Sequence, residues 1–201
     1  MNKKRILKNT LAPVLAWSIF SSFNISSGIL PALEKITLEP EIKIEEIVKS
    51  ENKDELYSII EDVYRGFEEI PEYINQKFIR EAIRIESTDN EKAISKKGAR
   101  GLMQITYGAW KEVEKKLDYS QYVFDPQANI RVGLKYLLWI NDYCESRHPE
   151  WNTLSNEEKR RKIMASYNGG PFRLSNRNWN INRMSGETRE YVDKIERGMN
   201  Q

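Results

Sequence analysis

From about residue 54 onward, apolar residues recur at three-and-four spacing through most of the chain, and this periodicity predicts helices. Leu56, Ile59, Ile60 and Val63 line one such face. Beyond Pro71, a favourable first-turn residue, Ile79, Ala82, Ile83 and Glu86 line another. Asp125-Pro126 reads as an N-cap and a first-turn proline, opening a long amphipathic helix through Leu134, Leu137, Leu138 and Asn141. Ser155-Asn156-Glu157-Glu158 has the spacing of a capping box, and the helix behind it carries Ile163 and Met164 toward Tyr167 before Gly169-Gly170-Pro171 stops it. A last helix is expected over 187–196, with Gly198 beyond its end. Few stretches alternate with period two, so the expected fold class is all-α (mainly α).

The residues before 54 break this pattern. Lys3, Lys4 and Arg5 precede a short apolar stretch over 11–20 and a small polar segment ending at Ser27. Charged start, apolar centre and small polar end are the parts of a secretory signal. The apolar stretch falls short of the roughly 20 residues that span a bilayer, and Pro13 interrupts it. Residues 1–27 are therefore read as a signal peptide or N-terminal anchor, 28–53 as a spacer or N-terminal strap, and 54–201 as the folded domain. The protein is expected to be exported to the periplasm, the cell envelope or the exterior, tethered to the membrane if the leader stays uncleaved.

Charge and rare residues remove several function classes. The net charge of +2 includes Lys3, Lys4, Arg5 and Lys8 of the leader; taking these four away leaves −2, which does not suit a nucleic-acid binder. Cys144 is the only cysteine and allows no internal disulfide. His148 is the only histidine, four residues on and followed by Pro149. The pair makes neither a metal site nor a Ser-His or Cys-His relay, so no metal and no cofactor is expected.

Candidate chemistry begins at Glu86, which continues an apolar helix face at its C-terminal end. Desolvation there and the negative end of the helix dipole would both raise its pKa, as a general acid requires; the alternative is a surface glutamate in a last turn. In the turn that follows, Gly98 and Gly101 allow a tight backbone, Ser95 and Gln104 offer hydrogen-bonding groups suited to sugar hydroxyls and acetamides, and Met103 offers either an apolar wall or a core plug. Tyr167 and Asn168 combine an aromatic face with a two-way amide, or else pack and cap. Tyr191 is expected to face inward, and Glu187 to favour its helix N-terminus or to touch substrate.

Taken together, Ile85-Glu86-Ser87 with Gly101-Leu102-Met103-Gln104, Ala165-Ser166-Tyr167-Asn168-Gly169-Gly170, Asn129 with Gly133, Tyr136 and Leu137, and Glu187-Thr188 with Tyr191-Val192 resemble the soluble lytic transglycosylase (SLT) domain family over roughly residues 65–197. Ser166 departs from that pattern, standing where the family has a small or apolar residue. The resemblance implies a lysozyme-like α fold acting on peptidoglycan. Glu86 would be the single catalytic acid and base, cleaving the MurNAc–GlcNAc bond with formation of 1,6-anhydro ends, and Ser95, Met103, Gln104, Tyr167, Asn168 and Tyr191 would bind substrate. A two-carboxylate hydrolase of the goose-type lysozyme kind is the alternative, with Asp89, Asp125 and Glu187 as candidate partners for Glu86. A peptidoglycan-binding component of an envelope-spanning assembly is a further reading, with the charged run 145–162 as a partner surface. The chain is expected to act as a monomer.

Overall fold

The computed structural model describes residues 54–201, so the leader and the spacer or strap expected before them lie outside the described residues. Residues 54–65 form α1, burying Leu56, Ile60 and Val63 as the periodicity predicts. There follow α2 (Gln76–Ser87), α3 (Tyr107–Val113), α4 (Tyr119–Tyr122), α5 (Pro126–Arg147), α6 (Asn156–Gly169), α7 (Pro171–Ser175) and α8 (Gly186–Met199), with single 3-10 turns at Trp151–Thr153 and Ile181–Arg183. Among the described residues there is no strand; two isolated antiparallel bridges, Ile94 with Arg100 and Arg100 with Ile105, pinch the turn between α2 and α3. No described helix is long and apolar enough to cross a membrane.

The long α5 is the axis of the domain. Its Ile130, Val132, Leu134, Leu137, Ile140 and Cys144 are fully or almost fully buried. α3 packs on it from one side and α6 from another, while α8 packs on both α6 and α2. The caps expected from sequence are in place: Asp125 accepts from the Ala128 N–H at 2.8 Å ahead of Pro126, and Ser155 with Glu158 closes a reciprocal capping box.

Two boundaries differ from expectation. Pro71 does not open α2; it accepts a turn bond from Ile74 N–H, and Asn75 caps the helix by accepting from Phe78 N–H at 2.9 Å. The last helix does not stop before Gly198 but runs through it. A Cβ on Gly198 would stand 2.0 Å from a carboxylate oxygen of Glu81, so glycine there permits close approach of α8 to α2 rather than ending a helix.

Asn129 fastens the turn after α2 to α5. Its side chain is buried, accepts from Met103 N–H at 2.8 Å, and donates to Val123 O at 2.7 Å and Arg100 O at 3.1 Å. Gly101 lies against that amide with φ +76, where a side chain would meet both Asn129 and the Val123 carbonyl. Gly133 makes the matching space on α5 for the fully buried Met103 side chain.

Partly buried ion pairs brace the bundle. Arg160 grips Glu196 through two bonds of 2.8 and 3.0 Å, joining α6 to α8. Lys135 donates to Glu114 at 2.6 Å, and this bond, with the Lys116 and Leu117 N–H groups, lowers the Glu114 pKa to about 2. A carboxylate depressed on folding contributes stability that is present above its unfolded value of 4.5 and lost as pH falls toward about 2. Glu114→Gln is therefore expected to destabilise the protein at neutral pH and to flatten its stability between pH 4.5 and about 2, measured by thermal melts across that window.

Candidate active site

Glu86 occupies the penultimate position of α2, whose buried face is Phe78, Ile79, Ala82 and Ile83. The helix ends abruptly because Thr88 and Asp89 both turn left-handed, with φ of 54° and 64°. Asp89 is held there by a bidentate ion pair with the buried Arg80 guanidinium, one bond being 2.8 Å. The last turn that carries Glu86 is thus clamped from behind by its own helix.

Half-buried at the mouth of the bundle, the Glu86 carboxyl has its pKa raised to about 7. Burial is the main cause, the Glu187 carboxylate adds to it, and a hydrogen bond from the Tyr191 hydroxyl partly offsets both. Tyr191 and Glu187 come from the first two turns of α8, whose N-cap is Ser185. Glu187 also pairs at 3.0 Å with Lys97 at the tip of the 93–105 turn, so that turn reaches over to the helix that flanks Glu86.

Tyr167 arrives from α6. Its hydroxyl donates to the Met103 carbonyl at 2.7 Å, and the phenol lies close enough to Glu86 for the carboxylate to raise its pKa well above the ordinary tyrosine value, after burial as the leading cause. Asn168, next in line, accepts at 2.8 Å from the Thr188 hydroxyl, itself bonded to Ser185, which fixes the amide so that its NH2 remains to donate. The structure therefore brings Glu86, Tyr167 and Tyr191 together around one carboxyl, with Asn168 oriented beside them.

The turn residues divide. Ser95 accepts from Ala99 N–H at 3.0 Å and keeps its own proton for another acceptor. Gln104 spends its amide NH2 on Ala93 O and Gly101 O, holding the turn in which it sits at φ 47°. Met103 is placed in the core: its side chain is fully buried against Gly133, and it meets the site through its backbone carbonyl rather than as an apolar wall. Among the candidate second carboxylates, Asp89 is committed to Arg80 and Asp125 to capping α5, which leaves Glu187.

Sequence reading passed over Thr188 and Tyr136 as site residues. Thr188 is buried and orients Asn168. Tyr136 of α5 packs its ring 5.6 Å from that of Tyr167. A separate cavity of about 540 Å³, lined by His148, Lys162, Trp179 and Asn180 among others, lies beyond the C-terminal end of α5 and includes none of these groups.

The family model of the transglycosylase SLT domain matches residues 67–192, well over half of the chain and every residue just described. The chain belongs to the transglycosylase SLT domain family. Over 104 residues the chain is 31% identical to the membrane-bound lytic murein transglycosylase C of Cronobacter sakazakii, covering 48% of this chain and 27% of that protein. Its fold resembles that of an inactive mutant of the lytic transglycosylase Slt from Pseudomonas aeruginosa, with a TM-score of 0.51 and 23% identity over 70% of this chain. It also resembles the 70 kDa soluble lytic transglycosylase of Escherichia coli, with a TM-score of 0.50 and 26% identity over 69% of this chain. The chain spans 22% of each of these two solved chains, and about a quarter of the curated relative. These matches identify the family and the lysozyme-like helical fold.

Tyr191 offers a direct handle on the electrostatics of the site. Its hydrogen bond lowers the Glu86 pKa against the larger effect of burial. Tyr191→Phe is therefore expected to raise that pKa above about 7 and to move the alkaline limb of the kcat/KM profile upward. A profile from pH 5 to 9 checks it; an unmoved or lowered limb contradicts the bond's role.

Proposed function

We infer that this chain is a peptidoglycan lytic transglycosylase. It cleaves the β-1,4 bond between MurNAc and GlcNAc, with Glu86 as acid and then base. The observation that carries the reading is the Glu86 carboxyl itself: at a pKa of about 7 it holds a proton for the leaving oxygen at neutral pH, yet releases it readily once the bond breaks. In the first step the Glu86 proton passes to the glycosidic oxygen as the C1–O bond of MurNAc breaks. The substrate's acetamido group stabilises the cationic centre, in place of a second protein carboxylate. The ionised Glu86 then takes the proton of the MurNAc C6 hydroxyl while that oxygen bonds to C1. This restores the acid and closes a 1,6-anhydro ring without consuming water.

Tyr191 supports the first step by donating to the carboxylate that proton transfer leaves behind, and the fixed Asn168 amide together with the free Ser95 proton suit the hydroxyls and acetamides of the strand. We place the activity at the cell envelope, in keeping with the leader read from residues 1–27 and with a relative whose name is membrane-bound and murein-directed. One observation favours a hydrolytic alternative: Glu187 lies close enough to Glu86 to raise its pKa. Digestion of purified peptidoglycan followed by mass spectrometry separates the two. Anhydro-muramic ends are expected; reducing ends lost on Glu187→Gln would establish the hydrolase.

A further inference from the structure

Between Glu91 and Glu112 the chain runs for twenty residues with five cations, Lys92, Lys96, Lys97, Arg100 and Lys111, and no acid. Two of the five are paired: Lys92 with its neighbour Glu91 at 3.2 Å, and Lys97 with Glu187 of α8 at 3.0 Å. Lys96, Arg100 and Lys111 make no ion pair with any described residue. Like charges held together repel one another until an outside anion answers them.

Aromatic rings gather three of these cations on one surface. The Arg100 guanidinium lies 5.8 Å from the centroid of Phe124 and 5.6 Å from that of Tyr119. Lys92 shares the Phe124 ring at 5.9 Å. Tyr119 meets Tyr107 edge-on at 5.5 Å, and the Lys111 ammonium lies 5.5 Å from the Tyr107 ring. Cation and ring thus interleave from Lys92 to Lys111. Arg100 is placed by these rings and by its backbone bridges to Ile94 and Ile105, not by side-chain hydrogen bonds: its Nε–H is closed off from solvent and has no acceptor. The terminal N–H groups of a guanidinium so preset, with no carboxylate beside them, form a fork suited to phosphate.

Large apolar groups stand among the cations. Ile94, bridged to Arg100, is 63% exposed, and Tyr107 is 59% exposed. A soluble polyanion would use the cations and leave these two side chains in water. The boundary of a bilayer uses both, its phosphates meeting lysine and arginine while the layer beneath takes tyrosine rings and aliphatic groups. We propose that this face, built by the 93–105 turn and α3, docks on an anionic phospholipid surface, with Ile94 and Tyr107 entering the headgroup layer. The leader read from residues 1–27 brings the chain to such a surface. Because the same turn carries Lys97 to Glu187, beside Glu86, docking holds the candidate active site close to the bilayer. The docking stands apart from the peptidoglycan reading; only its use, cleavage of strands near the membrane, rests on that reading.

A basic, apolar leader binds lipid on its own account, so the readout is placed on the face itself. In the full chain, Ile94→Cys carries an environment-sensitive fluorophore, and the buried Cys144 does not compete for it. Phosphatidylcholine vesicles holding about one third phosphatidylglycerol are expected to shift the label to the blue and brighten it severalfold, an effect lost near 1 M salt, where the Debye length is only ~3 Å. The same label at Phe172→Cys, an equally exposed position on α7, is expected to stay unchanged. Lys96→Glu combined with Lys111→Glu, both at exposed positions, is expected to weaken the binding read at residue 94 by at least about tenfold. A residue 94 label that stays in water would overturn the face, whether or not the chain pellets with vesicles through its leader. An equal response to phosphatidylcholine alone, or one that the two substitutions leave unmoved, would overturn the part given to charge and the proposal with it. A response to soluble polyphosphate and none to vesicles would assign the face to a polyanionic polymer and overturn the bilayer.

Discussion

Glu86→Gln is expected to abolish cleavage and, at the same time, to make the protein more stable at and above neutral pH. The activity arm follows from the proposal that one carboxyl serves as both acid and base. Glutamine can neither give the leaving oxygen a proton nor accept one from the C6 hydroxyl, and each such transfer is worth roughly 10²–10⁴-fold in rate. The stability arm follows from the direction of the shift. Unfolded, the carboxyl ionises near 4.5; folded, near 7. Between those values the native state keeps a proton that the unfolded chain has released, so stability falls as pH rises through the window and the full cost stands above it.

Glutamine does not titrate and escapes that cost. The gain at pH 8 should be about 1–3 kcal/mol, a rise in Tm of roughly 3–8 °C, shrinking toward zero below pH 4.5. Melts of both proteins from pH 4 to 8 measure it. A variant no more stable at pH 8 than at pH 4, relative to wild type, would contradict the strained carboxyl on which the chemistry depends.

Asn129→Ala is expected to be the most damaging single change away from the reacting groups. Its amide satisfies three buried backbone groups at once: the N–H of Met103 and the carbonyls of Arg100 and Val123. Alanine leaves the Met103 N–H and the Val123 carbonyl without partners, the Arg100 carbonyl keeping its bond from the Ile105 N–H, where Gly101 and the buried helix leave little room for water, a cost of about 3–4 kcal/mol. The midpoint should drop by roughly 8–15 °C. Activity should fall further than stability alone explains, because the released turn carries the Met103 carbonyl that anchors Tyr167. Asn129→Asp tests the geometry more finely: it keeps an acceptor for Met103 but sets a carboxylate against two carbonyls, and should be nearly as harmful. A loss below 1 kcal/mol for alanine would mean the turn holds itself.

Much of this architecture was legible in the chain. Asp125-Pro126 and the Ser155–Glu158 box announced two helix starts because capping is local chemistry, complete within four residues. Glu86 stood out because a carboxylate on an apolar face breaks the pattern around it. The misreadings come from tertiary contacts. Gly198 looks like a terminator until Glu81 of α2 is seen to occupy the space of its missing side chain. Met103 is equally compatible with a cleft wall and a plug, and only the notch at Gly133 decides for the plug. Tyr136 carries no sign in the sequence that it packs on Tyr167, because that contact depends on how α5 and α6 cross. Asn75 was overlooked because Pro71 offered a plausible earlier start.

The most direct measurement is digestion of peptidoglycan in oxygen-18-labelled water, followed by mass spectrometry of the newly formed muramic ends. Intramolecular attack by the C6 hydroxyl under Glu86 control must leave every new end unlabelled and short of one water. A heavy oxygen at C1 of the new ends would mean that water is the nucleophile, and would contradict the single-carboxyl transglycosylase in favour of a hydrolase in which Glu187 assists Glu86.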